Sequence, residues 1–472
     1  MPQLGSISSP VRRTSDFDRA SALSRALRAH FDSGATKALS WRLSQLDALE
    51  HFLMEREQDI LAALTADLSK PATEAFVSEI GFTLAELRLT KKKLASWMKP
   101  ERVRTPLVAM PGRSYVYREP LGVAAIIGPW NYPFQTVVVP MIGALAAGNC
   151  VVLKPSELAS NVSELLARWI PKYLDPKAVQ VWQGGVPETT ALLRERWDHI
   201  FYTGNGRVGR VIMEAAAKHL TPVTLELGGK SPCIVDDSAD LDTAARRIVF
   251  GKFFNAGQTC VAPDYVLVDD RVHDALVNRM AATIREFYGE DPQRSSDYAR
   301  IINDGHHARL TALLNSGDVV TGAKVDPDAL YIAPTILKNV RESDPVMQEE
   351  IFGPILPVLA VPDVDAAIAY VNRHPKPLAL YVFSTDRRTQ DRILARTSAG
   401  GTTINHVWMH LGVPKLPFGG VGASGMGAYH GRHTFEAFSH RRAVLKKPAL
   451  GEPRLLEPPY SLRKLRWIKR LI

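Results

Sequence analysis

The sequence predicts an α/β protein of two doubly wound α/β lobes joined by a small β segment. Three observations carry that expectation. Short apolar runs alternate with helical stretches through most of the 472 residues. Strand-helix alternation of this kind argues for parallel sheets covered on both faces. The length exceeds what one core organises, since domains cluster at roughly 100–200 residues. The pattern also restarts after a pair of glycines, Gly228 and Gly229.

Residues 20–97 form a helical entry layer in which Leu43, Leu46, Leu49, Phe52 and Leu53 recur at helical spacing. Residues 102–117 are interrupted by Pro and Gly and then alternate, which fits a short strand or hairpin outside the main fold. The first lobe has apolar runs at 122–129, 150–157, 179–185, 199–205 and 222–229. The second has them at 230–237, 265–270, 331–337, 355–361 and 378–384, followed by 401–405 and a Gly-rich loop at 417–427.

Composition narrows the function classes. The formal net charge is +9, but ten of the Lys and Arg, against two Glu, fall in residues 441–472. The body is therefore nearly neutral, and with no nucleic-acid module pattern, no nucleic-acid partner is expected. Cys150, Cys233 and Cys260 form no CxxC pair and have no neighbouring His, so neither a disulfide framework nor a metal site is expected. The first 30 residues contain no apolar signal segment, and no run of ~18 apolar residues occurs. The expected location is cytoplasmic.

Four segments carry chemistry. In residues 199–220, Gly204, Gly206 and Gly209 have GxGxxG spacing after an apolar run and before a helix. That arrangement offers backbone amides and a helix N-terminus to a pyrophosphate. It serves equally as a plain strand-helix turn. In KPSE (154–157), Lys154 and Glu157 can clamp a ribose from both sides, or Ser156 can cap a helix. Glu226 stands where a strand ends on two glycines. Cys260 lies in a polar turn, where a thiolate is reachable, whereas Cys150 and Cys233 sit in apolar strands and read as buried hydrophobes.

These residues resemble the aldehyde dehydrogenases, and within them the class 3 branch that includes the fatty aldehyde and coniferyl aldehyde enzymes. The likeness covers roughly residues 20–445. It rests on PWNYP (129–133), KPSE (154–157), FYTGNGRVG (201–209), LELGGKSP (225–232), GQTC (257–260), EEIFGP (349–354) and PFGGVGASGMGAYHG (417–431), in family order.

The resemblance implies Cys260 as nucleophile toward an aldehyde, with the Asn131 side chain and the Cys260 backbone N–H as oxyanion donors. It implies Glu226 as the general base that activates water against a thioester. Cofactor contacts fall to Lys154, Glu157, Gly204, Asn205, Gly206, Arg207, Val208 and Gly209, with Glu350 on the nicotinamide ribose and Phe352 bracing the ring. Glu157 favours NAD, and NADP stays open. Alternatives are an acylating, coenzyme A-dependent relative and a catalytically silent one that binds lipid surfaces.

Family architecture implies a Rossmann-like cofactor domain at 1–102 and 122–227, a catalytic domain at 228–424, a bridging segment at 103–121 and 425–446, and a basic tail at 447–472. A homodimer is expected through the bridging strand. If 461–472 is helical, Arg463, Arg466 and Arg470 share one face and Leu465, Ile468 and Ile472 the other. Weak peripheral contact with anionic lipid is conceivable for such a face, and a solvated or dimer-packed tail is preferred. Tyr132 and residues 406–411 are expected in the substrate walls, with medium- to long-chain aliphatic aldehydes first and aromatic ones second.

Overall fold

The computed structural model describes residues 15–449 and 454–471. The entry layer is helical: Asp16–Asp32, Leu39–Glu55, Glu57–Leu68 and Phe82–Trp97 bury Leu27, Leu46, Leu49, Phe52, Leu53, Leu64, Leu87 and Leu94. A π-helical turn, Phe76–Gly81, precedes the last of these. Such turns are frequent at functional sites.

The first sheet has six strands in the order Val179–Val181, Cys150–Lys154, Val123–Ile127, His199–Thr203, Val223–Glu226 and Gly425–Met426. The first five are parallel and the last is antiparallel. Strand order therefore reverses at Val123–Ile127: the chain winds outward on one side, returns, and winds outward on the other. Helix Gln135–Ala147, buried along its whole length, covers this sheet. Open α/β sheets bind ligands beyond the carboxyl ends of the strands at such a reversal.

A second sheet begins six residues after the fifth strand of the first, at Pro232. Its order is Asp318–Thr321, Thr335–Lys338, Ile355–Val361, Tyr265–Asp269, Pro232–Val235, Ala379–Phe383 and Gly401–Ile404. All but the first are parallel. The apolar run 331–337 is not one strand. Tyr331–Ile332 pairs with Val325–Asp326 in a separate ribbon, and only Thr335–Lys338 joins the sheet. Pro334, which has no N–H to donate, marks the break.

A three-stranded antiparallel sheet, Glu101–Val103, Arg113–Pro120 and Ser439–Lys446, forms the outlying β segment. The second part of the expected bridging segment, 425–446, contributes to two sheets. Gly425–Met426 completes the edge of the six-stranded sheet beside Val223–Glu226, and the return to the outlying sheet starts at Ser439. The tail holds helix Leu462–Leu471, packed near the turn Leu107–Ala109. Ile472, assigned above to its apolar face, and the first 14 residues lie outside the described residues. Among the described residues no helix is long and apolar enough to cross a membrane.

The close approach of helix Arg432–Ala437 to helix Gln135–Ala147 depends on Gly143. A Cβ there would stand 2.2 Å from Thr434 Cγ2. Gly143→Ala should therefore overpack the contact and lower stability by about 1–3 kcal/mol, read as a lower urea midpoint with unchanged slope.

Candidate active site

The catalytic and cofactor candidates of the first lobe lie at the carboxyl edge of the six-stranded sheet. Asn131 follows strand Val123–Ile127, Lys154 ends its strand, Gly204 follows His199–Thr203, and Glu226 ends Val223–Glu226. The reversal of strand order places them around one crevice.

Lys154 is almost wholly buried, and its Nζ donates to Glu157 Oε2 at 2.6 Å while Glu157 stays half exposed. Charge pairing with Lys154 holds the Glu157 carboxyl below its ordinary range against its partial burial. Ser156 caps no helix. Its Oγ accepts from the Leu158 N–H at 3.2 Å, whereas helix Ser160–Tyr173 starts later and is capped from outside by Asp67, which accepts from the Asn161 and Val162 amides.

In the glycine motif, Asn205 is the N-cap of helix Gly206–Ala217, its Oδ1 accepting from the Val208 N–H at 3.0 Å. None of the three glycines needs a left-handed backbone. Space is the constraint instead. A Cβ on Gly204 would lie 2.2 Å from Tyr202 Oη, and one on Gly209 would press on Leu227 at 3.0 Å, whereas Gly206 has room. Arg207 is exposed at the helix start and Val208 is half-buried. The Gly204 N–H donates to Glu226 O at 3.0 Å, which ties this turn to the strand end.

The nucleophile candidate sits beyond helix Leu241–Phe253. Asn255, Ala256 and Gly257 take φ of 53°, 51° and 74°, a left-handed run that throws the chain back toward the sheet edge. Gly257 is obligatory here, because a Cβ would lie 2.2 Å from Gly353 O. Side chains lock the turn. Asn255 Nδ2 donates to Asn131 O (3.0 Å) and Gln258 O (3.1 Å), Gln258 Nε2 donates to Asn255 O (3.0 Å) and Arg300 O (2.9 Å), and Gln258 Oε1 accepts from Ile302 N (3.0 Å). The Asn131 amide joins them by donating to Gln258 O at 3.0 Å.

Cys260 is half-buried, whereas Cys150 and Cys233 are fully buried. Burial pushes the Cys260 thiol up to about 12, with the Glu350 and Glu226 charges adding to the rise and the backbone N–H groups of Cys260 and Val261 opposing it. Those N–H groups thus face the reacting centre. Glu226 is buried, neither carboxylate oxygen has a hydrogen-bond partner, and burial pushes its carboxyl well above the ordinary range. No group among the described residues anchors it.

Glu350 lies against Gly228, where a Cβ would fall 2.0 Å from its Oε2. Burial and Asp264 push its carboxyl up to about 8, against the Gly229 N–H, Lys230 and Lys252. Phe352 holds a φ of 51° and meets Trp130 edge-on at 5.3 Å.

The aldehyde dehydrogenase family's sequence model matches residues 2–444. The chain belongs to the aldehyde dehydrogenase family. It is 51% identical over 425 residues to the dimeric NADP-preferring aldehyde dehydrogenase of Rattus norvegicus, covering 90% of this chain and 94% of the relative. It is 50% identical over 445 residues to aldehyde dehydrogenase family 3 member A2 of Mus musculus, covering 94% and 92%. These likenesses put it in the class 3 branch. A substrate-bound AldH of Staphylococcus aureus superposes with a TM-score of 0.93 at 46% identity, covering 95% of this chain and 98% of that one. The chain is an NAD(P)-dependent aldehyde oxidoreductase.

Several residues of this aldehyde dehydrogenase escaped the sequence reading. Asn255 and Gln258 fix the nucleophile turn, and Lys70 and Glu79 stand behind Asn131. Phe250 and Phe254 join Trp408 in an aromatic cluster, with Phe250 and Trp408 stacked at 5.1 Å. Only Asn255 and Gln258 had a sequence signal, as amides flanking the glycine before the cysteine. Lys252, fully buried, has an Nζ without a hydrogen-bond partner, and burial brings its pKa down to about 8.

Native protein treated with iodoacetamide should lose one thiol per chain, Cys260, while Cys150 and Cys233 react only after unfolding. Because the thiol is raised rather than lowered, the alkylation rate should keep climbing above pH 9, where an ordinary thiol levels off. Peptide mass spectrometry across pH reads both, and a plateau near neutrality would contradict this account of the thiol.

Proposed function

We propose that this class 3 enzyme oxidises its aldehyde through a thioester on Cys260 that Glu226 helps water to cleave. The observation that carries the reading is the convergence of three groups at one sheet edge. Asn131 and Glu226 both lie at the carboxyl edge of the six-stranded sheet, Asn131 donates to Gln258 O two residues before Cys260, and the N–H groups of Cys260 and Val261 oppose the rise of its thiol.

The crevice suits the cofactor. Lys154 and Glu157 already pair as a donor and an acceptor at a strand end, which fits a ribose diol. Tyr202 packs on Gly204 where a side chain would stand, and the helix that starts at Gly206 presents its N-terminus next to that turn. Val208 and Gly209 continue that helix, and Glu350 and Phe352 close the crevice from the second lobe. A nicotinamide cofactor held by these residues would supply the acceptor for the hydride that the aldehyde carbon loses.

The remaining steps belong to the chain. Cys260 Sγ forms a bond to the aldehyde carbon, and its proton leaves. The developing oxyanion is met by the Asn131 amide and the Cys260 N–H, a pairing worth about 10²–10³ in rate per donor. After oxidation the carbon is a thioester. Glu226, ionised, takes a proton from water, the water oxygen adds to the thioester carbon, and the C–S bond breaks to release acid and thiol. An unanchored Glu226 whose burial favours the protonated form is consistent with a base that turns toward water only after acylation.

An apolar substrate is supported by the Phe250, Phe254 and Trp408 cluster and by Met409, half exposed beside it. Medium- to long-chain aliphatic aldehydes fit it first and aromatic ones second. Tyr132, whose Oη shares a 2.6 Å hydrogen bond with Thr259 Oγ1, supports a wall close to the nucleophile. Two protomers in a homodimer are supported by strand Ser439–Lys446, an exposed sheet edge among the described residues, and by the word dimeric in the rat relative's name. Three free cysteines support a reducing, cytoplasmic setting.

Reduced nicotinamide is followed by absorbance with NAD or NADP and a panel of aldehydes. Wild type should turn over steadily, Cys260→Ser not at all, and Glu226→Gln should give one burst and then fall about 10²–10⁴-fold. Turnover that requires coenzyme A would overturn the hydrolytic reading. The pH dependence has a definite sign: only ionised Glu226 accepts a proton, and burial raises its carboxyl well above the ordinary range. Thioester cleavage should therefore keep rising with pH beyond the range where an ordinary carboxylate is already ionised and be lost as pH falls, and Glu226→Gln should flatten that limb. Glu157→Gln should raise the preference for NADP over NAD about fivefold, the worth of removing roughly 1 kcal/mol of repulsion between solvated charges.

A further inference from the structure

One buried ion pair has no part in the chemistry described so far. Lys70 follows helix Glu57–Leu68, and Glu79 stands in the π-helical turn Phe76–Gly81; both side chains are wholly inaccessible, with Lys70 Nζ 2.7 Å from Glu79 Oε1. A buried pair of this kind is weak evidence for stability, because desolvation offsets much of the attraction and well-packed apolar residues often do as well. Its other contacts tell more. Lys70 Nζ also donates to Asn131 O at 3.0 Å and stands 4.3 Å over the Tyr132 ring. Glu79 Oε2 accepts from the Phe134 N–H at 3.2 Å and the Gln135 N–H at 2.8 Å.

Those two amides begin helix Gln135–Ala147, which has no capping side chain of its own. Glu79 supplies the missing acceptor from another helix and puts its negative charge at the positive end of the helix. Residues 131–135 are thereby gripped at both ends, with Lys70 on the carbonyl of Asn131 and Glu79 on the amides three and four residues on. The same short segment reaches the nucleophile turn twice, through Asn131 Nδ2 to Gln258 O and through Tyr132 Oη to Thr259 Oγ1. With the carbonyl fixed by Lys70 and Asn255 together, the Asn131 side chain has little freedom to shift relative to Cys260.

We propose that Lys70 and Glu79 are positioning residues for the oxyanion-stabilising amide of Asn131, a reading that rests on the role given to Asn131 above. They touch neither substrate nor cofactor. They set the distance between the Asn131 amide and the sulfur, and misplacement of such a donor by about 1 Å is enough to lose 10²-fold in rate.

The test is a double-mutant cycle on steady-state oxidation, with cofactor binding followed by tryptophan fluorescence and folding by thermal unfolding. Asn131→Ala should lower kcat/KM by on the order of 10²–10³. Lys70→Met should lower kcat by about 10–100-fold while the cofactor Kd and the KM for aldehyde stay within about twofold. In the Asn131→Ala background the same Lys70→Met change should remove less than about threefold more, because the group it positions is gone. The combined variant Lys70→Met with Glu79→Gln leaves no unpaired buried charge. It should unfold near the wild-type temperature and still show the loss in kcat, and it replaces Lys70→Met in the cycle if the single variant does not fold.

Wild-type kcat in the combined variant, or a Lys70→Met loss just as large without the Asn131 side chain, would overturn the positioning role and leave that of Asn131 intact. Undiminished turnover in Asn131→Ala would overturn both.

Discussion

The active site depends on a left-handed turn that the backbone does not favour. Three successive residues with positive φ, one of them an alanine, carry conformational strain of the order of 1–2 kcal/mol for the alanine alone. Asn255 and Gln258 offset it by saturating the turn's carbonyls, and Gly257 gives the clearance that Gly353 demands. Because Asn131 is drawn into the same network, the oxyanion donor and the nucleophile move as one body. Loosening one would loosen both.

Electrostatics at this site follow from burial more than from pairing. Burial raises both Glu226 and Cys260, so the site disfavours charge before the reaction begins. A neutral interior makes few demands before substrate arrives, and the low dielectric strengthens whatever charge then develops. The fixed elements, namely the backbone amides near Cys260 and the Asn131 side chain, need no reorganisation when that happens. Charged pairs are kept to the periphery of the chemistry, with Lys154 and Glu157 at one end and Lys70 and Glu79 behind the scaffold.

Much of this was legible in the sequence. The parallel sheets announced themselves through apolar runs bounded by turns, and helix Gly206–Ala217 followed from the pattern after the glycines. The reversal at Val123–Ile127 and the Asn205 cap were not read there, because strand order is set by packing rather than by the runs themselves. The break at Pro334 and the partner of Gly425–Met426 were not, because pairing depends on which edge is free in three dimensions. Site residues embedded in motifs could be read off, but Lys70 and Glu79 look like ordinary surface charges in an amphipathic helix layer. Their burial is set by packing against residues 131–135, far away in sequence, and nothing local encodes it. Phe250 was opaque for the same reason: it lies more than 150 residues from Trp408, which falls in the expected wall segment 406–411, and the two meet only in the fold.

The late return of the chain to its first sheet has a consequence for biosynthesis. Arg118 bonds to Glu436 across 318 residues, and Gly425–Met426 closes the edge beside the strand that carries Glu226. At ribosomal speeds of about 5–20 residues per second, that partner arrives on the order of tens of seconds after the early strands emerge. Through that interval the nascent first lobe displays an unpaired sheet edge and the bare face of helix Gln135–Ala147, where Thr434 will later sit against Gly143. That seam cannot close until residues 425–436 have left the ribosome, so the first lobe stays incomplete for most of its own synthesis.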